Sequence, residues 1–262
     1  MTTIDYSRWA GRYDQTRGAS PSVLRILFEA FGEAADRSLL DIGGGTGNFA
    51  ETLGDAGFKV TLCDVTTEMA VRAQDKLPHN PVIVADAQSL PFSDRSFDCA
   101  LSVNVLGHVL DWHSTLREAR RVIRDGPFVL KVSTQETQKA NWVLEYLPQI
   151  AELSPPYHYQ PEETTLEALQ EAGFAHVQIG RVYYTDIVDG SFQALKWFPD
   201  ALLESERAGN TAVFMRVPED ERHSAFQRMR EDHKSGRLAE LIANYEPLHR
   251  QYGDGTVFIA RP

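Results

Sequence analysis

The sequence predicts an α/β fold, a mostly parallel sheet with helices on both faces and a helical insertion before the last strand. Three observations carry this. Short apolar runs alternate with amphipathic stretches from Leu39 to Val132, the spacing of a parallel sheet with right-handed crossovers. The run LLDIGGGTGNFAE at Leu39–Glu51 reads as a buried strand, a glycine turn and a helix start. About 65 residues then separate the strand-like Phe174–Val188 from a closing Thr256–Ala260, far more than a hairpin loop needs.

In chain order, Tyr6, Trp9 and Tyr13 stand three and four residues apart, along one helical face. This lead-in either packs on the core or lies as a lid over a ligand. Ser20-Pro21 looks like an N-cap with proline in the first turn, opening a helix with an apolar stripe from Val23 to Phe31. Strands follow at Leu39–Ile42, Phe58–Cys63, Val82–Ala85, Phe97–Asn104 and Phe128–Val132, separated by helices that include Thr66–Lys76 and one capped by Asp111 or Ser114. The regular pattern breaks over 134–160. Glu162–Gly173 returns to helix, and Ala194–Leu203, Glu219–His233 and Leu238–Tyr245 also have helical patterns. The expected division is a lead-in at 1–20, a core at 21–189 and 251–262, and a helical cap at 190–250.

With 262 residues, 42% of them hydrophobic and a net charge of −11, the chain has the composition of a globular α/β protein. The acidic balance argues against nucleic acid as a partner. No stretch has the length of a membrane span, and MTTIDYSRWAGRYD has no apolar leader, so a cytoplasmic protein without a membrane partner is expected. Cys63 and Cys99 sit in apolar runs and read as packed thiols in a reducing compartment. With no Cys/His cluster at zinc spacing, no metal is expected.

Asp41, Asp64 and Asp86 each close a predicted strand, and open α/β sheets bind ligands at those carboxyl ends. Any one of them could be a turn aspartate; three in register with a glycine turn point to a nucleoside. Asp64 follows Gly47 by 17 residues, near the place of an acid that bonds ribose hydroxyls. The dinucleotide fingerprint G-x-G-x-x-G fails, because Asn48 stands at its sixth position. An acid beside the turn suits a ligand with a positive group better than one with two phosphates.

Four stretches resemble motifs of the class I S-adenosylmethionine-dependent methyltransferases, in their small-molecule branch: LLDIGGGTGNFAE, LCDVTTEM, DAQSLPFSDRSFD, and SVNVLGHVLDW with LREARRVIRDG. The resemblance covers roughly residues 6–185 and the end strand, and it implies a Rossmann-like fold. It also implies S-adenosyl-L-methionine as cofactor, S-adenosyl-L-homocysteine as product, and no metal. On it, Gly43, Gly44 and Gly45 line the methionine moiety with Asp41 behind them, and Asp64 holds the ribose. Val65 and Met69 sandwich the adenine, whose amino edge is read by Asp86 with the Ala87 backbone. Asn104 faces the methionine end or the substrate, and Tyr6 and Tyr13 close on the cofactor. Asp98 is read as structural. Two positions depart from the family pattern: Asp125-Gly126-Pro127 replaces Pro-Gly-Gly, and Gly107-His108 replaces a His-His pair.

Methyl transfer from a sulfonium needs alignment above all, and in some cases a base near neutral pH. His108, just beyond the fourth strand, is the first candidate for base or substrate contact, with a capping role as its alternative. His158 is the second. Tyr157 and Tyr159 beside it, and Trp197 and Phe198 (with Tyr183 and Tyr184 nearby), are candidate acceptor contacts; packing of the insertion is the alternative for Trp197 and Phe198. The other six histidines, at 79, 113, 176, 223, 233 and 249, read as surface residues. Ser154-Pro155-Pro156-Tyr157 resembles a signature of amino-methylating DNA methyltransferases, but it lies beyond the fifth strand and is read as a turn. The expectation is a methyltransferase acting at oxygen or nitrogen of a small organic molecule, as a monomer or homodimer. The alternatives are a protein that binds the cofactor without transferring methyl, and a nicotinamide-dependent oxidoreductase.

Overall fold

The computed structural model describes residues 13–14, 17–153, 159–204, 214 and 217–262. In the first half, α1 (Pro21–Phe31) precedes β1 (Ser38–Ile42), α2 (Asn48–Asp55), β2 (Lys59–Asp64), α3 (Thr67–Lys76), β3 (Val82–Val84) and β4 (Cys99–Val103). A 3-10 turn at Leu106–His108 leads to α4 (Trp112–Val122) and β5 (Phe128–Val132). Then come α5 (Gln135–Gln138), α6 (Gln149–Leu153), α7 (Glu162–Glu171) and β6 (His176–Val182). The insertion carries α8 (Phe192–Leu195), α9 (Pro199–Glu204), α10 (Glu219–Ser235) and α11 (Arg237–Tyr252), and β7 (Gly255–Arg261) closes the chain.

The seven strands form one sheet in the order β3-β2-β1-β4-β5-β7-β6. The first five are parallel, and β7 runs antiparallel between β5 and β6. The chain walks outward from β1 in one direction and returns to β4 for the other, so the switch point lies between β1 and β4, where such sheets bind ligands. The glycine turn follows β1 at that point.

Alternation along the strands separates two cores. Leu40, Ile42, Ala100 and Leu130 pack with Leu116, Ala119, Leu169 and Phe174 on one face. Leu39, Leu62, Leu101 and Val129 pack with Leu27, Phe31, Leu53 and Ala73 on the other. Because side chains alternate with a period of two, Asp41, Asp64 and Lys131 share this second face. A third apolar cluster joins Trp142, Val143 and Leu147 to Phe192, Leu202, Met229 and Leu238. The segment after β5 and the insertion thus bury one common core.

Several bounds differ from those the pattern suggests. The expected helix 194–203 is two, because Pro199 cannot donate a backbone hydrogen bond and instead opens α9. The helix expected to end at Tyr245 runs to Tyr252 with Pro247 inside it. β4 begins at Cys99, while Phe97 makes a single bridge to Ile123. β6 ends at Val182, leaving Tyr183 and Tyr184 beyond it. Both cysteines are free and buried, and burial pushes each thiol up to about 12.

Candidate active site

The glycine turn is shaped by backbone demands that only glycine meets cheaply. Gly43, Gly45 and Gly47 have φ of 69°, 57° and 82°, the left-handed region. A Cβ on Gly43 would stand 2.5 Å from Val105 Cγ2, and one on Gly44 would stand 2.6 Å from Leu62 Cδ1. At Gly45 a Cβ would meet nothing within 4 Å, so this backbone faces open space. The turn is pinned to its neighbour strand by the amides of Gly43 and Gly44, which donate to Cys63 O at 2.8 and 3.1 Å.

Asp64, at the end of β2, accepts the Gly45 amide at 2.9 Å and the Thr66 amide at 2.8 Å. Burial raises its carboxyl above the usual range, and those two amides oppose the shift. Asp41 is buried on the same face. Burial first, then the Asp64 charge, pushes its carboxyl up to about 7. A buried acid that titrates near neutrality is primed to ionise opposite a cation. Open glycine backbone, an acid held by two amides at the end of β2 and a second, buried acid behind the turn together suit a ligand that carries hydroxyls and a positive group.

Around them, Val65 is 68% exposed just after β2, whereas Met69 and Ala87 are buried. Asp86, expected to close the third strand, lies two residues beyond β3 and accepts Gln88 N at 2.9 Å and Gln88 Nε2 at 3.0 Å, as a turn aspartate does. Asp14 and Arg17 lie against the turn. Asp14 accepts Thr46 Oγ1 and, at 2.8 Å, Lys76 Nζ, while Asn48 Nδ2 donates to Arg17 O at 3.1 Å. Burial pushes the Tyr13 phenol above its usual range; Arg17 opposes this, while Asp189 and Asp64 add to it. Tyr6, Tyr157 and His158 lie outside the described residues.

Beyond β4, Asn104 takes the left-handed conformation at φ 60°. Its Oδ1 accepts Lys131 Nζ at 2.8 Å. His108 is half-buried in the 3-10 turn that follows, with its amide donating to Val105 O at 2.8 Å. Tyr159 is half-buried before α7. Asp98 holds β1 to the loop before β4, accepting Ser38 N at 2.8 Å and Arg124 Nη1 at 2.6 Å.

The insertion brings Trp197 and Phe198 to different surroundings. Trp197 Nε1 donates to Asp254 at 2.6 Å, and its ring stacks on His249 at 4.0 Å. Phe198 is half-buried ahead of α9. His249 is not a surface residue. The last turn of α11 aims it at Asp254, 2.9 Å away, which is fully buried and also pairs with Lys196 at 3.2 Å. Asp189 forms a similar centre, accepting Arg17 at 2.8 Å and the Tyr184 hydroxyl at 3.2 Å. The readable signal for these groups was a lysine inside an apolar run, FVLKV at 128–132 and ALKWF at 194–198, since a lysine is almost never fully buried without a partner.

Comparison with known proteins finds methyltransferases. The Methyltransferase domain family matches residues 40–130. A ubiquinone/menaquinone biosynthesis C-methyltransferase from Enterobacter sp. (strain 638) is 30% identical over 183 residues, 59% of this chain and 72% of that protein. Its counterpart from Hahella chejuensis is 33% identical over 175 residues, 56% of this chain and 70% of that protein. Among solved structures, a protein named as a methyltransferase from an antibiotic biosynthesis pathway of Anabaena variabilis aligns with a TM-score of 0.79. It shares 21% identity, with 95% of this chain and 99% of that one covered. The fold and these matches define an α/β methyltransferase. The chain belongs to the class I S-adenosylmethionine-dependent methyltransferases.

Among the described residues no helix is long and apolar enough to cross a membrane. Nor does any group of three or more His, Cys, Asp or Glu there stand ready to hold a metal.

Proposed function

We propose that this chain methylates a small organic acceptor held over the carboxyl ends of β4 and β5, beside a cofactor seated at the glycine turn. The observation that carries the reading is the grouping of Gly45, Asp41 and Asp64 on one face at the switch point, with Asn104 next to them at the end of β4. Asp64 would hold the ribose hydroxyls, Asp41 would balance the cationic end of the methionine, and Val65, Met69, Asp86 and Ala87 would bound the adenine. S-adenosylmethionine supplies the activated methyl. The protein's own part is to align the acceptor and to exclude water.

Residues 1–20 would act as the lid, a role supported by the bonds from Asp14 and Arg17 across the turn. Residues 190–250, joined by the core around Trp142, would cap the acceptor, with Tyr157, Tyr159, Trp197 and Phe198 on its side. His108 is proposed as base or acceptor contact, with His158 as second candidate. The acceptor atom is oxygen, nitrogen or carbon, the last because the two curated relatives are C-methyltransferases.

Calorimetry with S-adenosylmethionine and S-adenosylhomocysteine tests the site, followed by mass spectrometry of cell extract incubated with methyl-labelled cofactor. Micromolar binding and a labelled small product are expected. A folded protein that binds neither compound overturns the reading; binding without any labelled product turns it into a cofactor-binding protein that transfers no methyl.

A further inference from the structure

The carboxyl edge of the sheet carries acids on one side and a buried excess of cations on the other. The side under the glycine turn has Asp41, Asp64 and Asp86. The side under β5 has the surplus of cations. Lys131 interrupts the apolar strand FVLKV and is 1% exposed. The charges that act on it most are Asp189 and Asp254, which favour its ammonium, and Arg17 and Lys196, which oppose it. Those four already pair with each other, Arg17 with Asp189 at 2.8 Å and Lys196 with Asp254 at 3.2 Å. Lys131 is left as the unmatched charge.

Its hydrogen bonding is also incomplete. An ammonium has three hydrogens, and among the described residues only Asn104 Oδ1 accepts one. The other close group is the face of the Tyr184 ring, 5.6 Å away. A buried ammonium with one of its three hydrogens accepted is costly, and burial accordingly lowers its pKa to about 8.

Asn104 links this group to that edge. It sits exposed at the rim in a left-handed conformation that favours Gly, Asn and Asp. Since lysine only donates, Asn104 must turn its carbonyl oxygen to Lys131 and its NH2 away from it. Among the described residues nothing accepts from that NH2. The pair is therefore a donor array, an amide at the rim with a cation behind it. We infer that Asn104 and Lys131 form a receptor for an oxyanion, a carboxylate or an ionised phenol or enol, carried by the methyl acceptor. Asn104 makes the contact and Lys131 is a positioning and charging residue behind it.

The acceptor, rather than the cofactor's carboxylate, is assigned as the source because of register. Asp41 pairs with Leu101, and Val103 pairs with Lys131. The Lys131 backbone therefore lies two strands away from β1, about 10 Å across the sheet, and its ammonium reaches back only as far as Asn104, beyond the end of the intervening strand β4.

This inference rests on the proposed cofactor site, and the experiment separates the two. The wild-type protein is first titrated with S-adenosylhomocysteine. The saturated complex is then titrated, by calorimetry or NMR, with acetate, benzoate and 1-naphthoate, and with the neutral amide of each. At least one acid is expected to bind tenfold or more tightly than its amide. Lys131→Met should abolish that preference and Lys131→Arg should restore it, with affinity for S-adenosylhomocysteine changed less than threefold in both. A merely structural lysine would not move the acid-to-amide ratio. No preference in any wild-type pair overturns the inference, and that comparison needs no variant to fold. A preference that survives in Lys131→Met overturns it too. If Lys131→Met instead loses S-adenosylhomocysteine tenfold, the oxyanion is the cofactor's carboxylate and the acceptor assignment falls. If S-adenosylhomocysteine does not bind the wild type, the cofactor reading itself has failed, and this inference with it.

Discussion

The Gly45 amide donates to the Asp64 carboxylate at 2.9 Å, so the last residue of β2 clamps the turn that follows β1. One side chain thus shapes the glycine turn and is also the residue proposed to hold the ribose. Asp64→Ala removes the acceptor of two amides, Gly45 and Thr66. Each charge-assisted bond is worth about 1.5–3 kcal/mol. We expect a lower thermal midpoint and at least a tenfold loss of S-adenosylhomocysteine affinity by calorimetry. Unchanged affinity would remove Asp64 from the ribose position.

The glycines of the turn have separable roles. Gly43 and Gly45 share a left-handed backbone, but only Gly43 would drive a Cβ into Val105. Gly43→Ala should therefore cost more stability than Gly45→Ala, whose penalty is the backbone strain alone, about 1–2 kcal/mol. Gly45→Ala should be the variant whose ligand affinity falls further than its stability, since its new methyl enters open space at the turn. Paired melting and binding curves check this; equal losses of affinity in the two variants would count against a ligand at Gly45.

What the sequence made legible follows from periodicity. Strands β1, β4, β5 and β7 were readable because their apolar runs are buried on both faces. Strands β3 and β6 were readable from apolar or alternating runs, although most of their side chains are half-buried or exposed. The turn was readable because three glycines serve left-handed positions. Asp41 and Asp64 were readable because they close such runs. The insertion was read as helical but its core was not: Trp142 and Leu147 lie some 50 residues before their partners Phe192 and Leu202. His249 was misread as a surface residue because helical spacing shows only which face it occupies. That this face meets Asp254 depends on where α11 returns to β7. Lys131 was missed for the same reason, since its partner Asn104 follows a different strand, β4.

His108 tests whether the chemistry uses a base. With the acceptor found by the labelled-methyl assay, His108→Ala should lower kcat by about 10²–10⁴ if the ring removes a proton. Cofactor affinity should change little. Unchanged turnover would leave His108 as a residue of the 3-10 turn alone.

Asp41 makes a pH prediction whose sign is fixed by burial. Its carboxyl is raised from 3.8 to about 7 in the folded chain. Between those values the folded protein holds a proton that the unfolded chain has released, so this residue's contribution to stability falls as pH rises from about 4 to 7. Below that window it has no effect on the slope, and above it the loss is complete. Asp41→Asn carries no such titration, so its stability advantage over the wild type should grow across the same window, by a few kcal/mol at most. A cationic ligand opposite Asp41 reverses the preference, because it favours the carboxylate. Binding of S-adenosylmethionine near pH 6 should release close to one proton and tighten toward pH 7.5, and both effects should vanish in Asp41→Asn. Calorimetry in buffers of different ionisation enthalpy measures the proton count directly. A count of zero in the wild type would separate Asp41 from the cationic end of the cofactor.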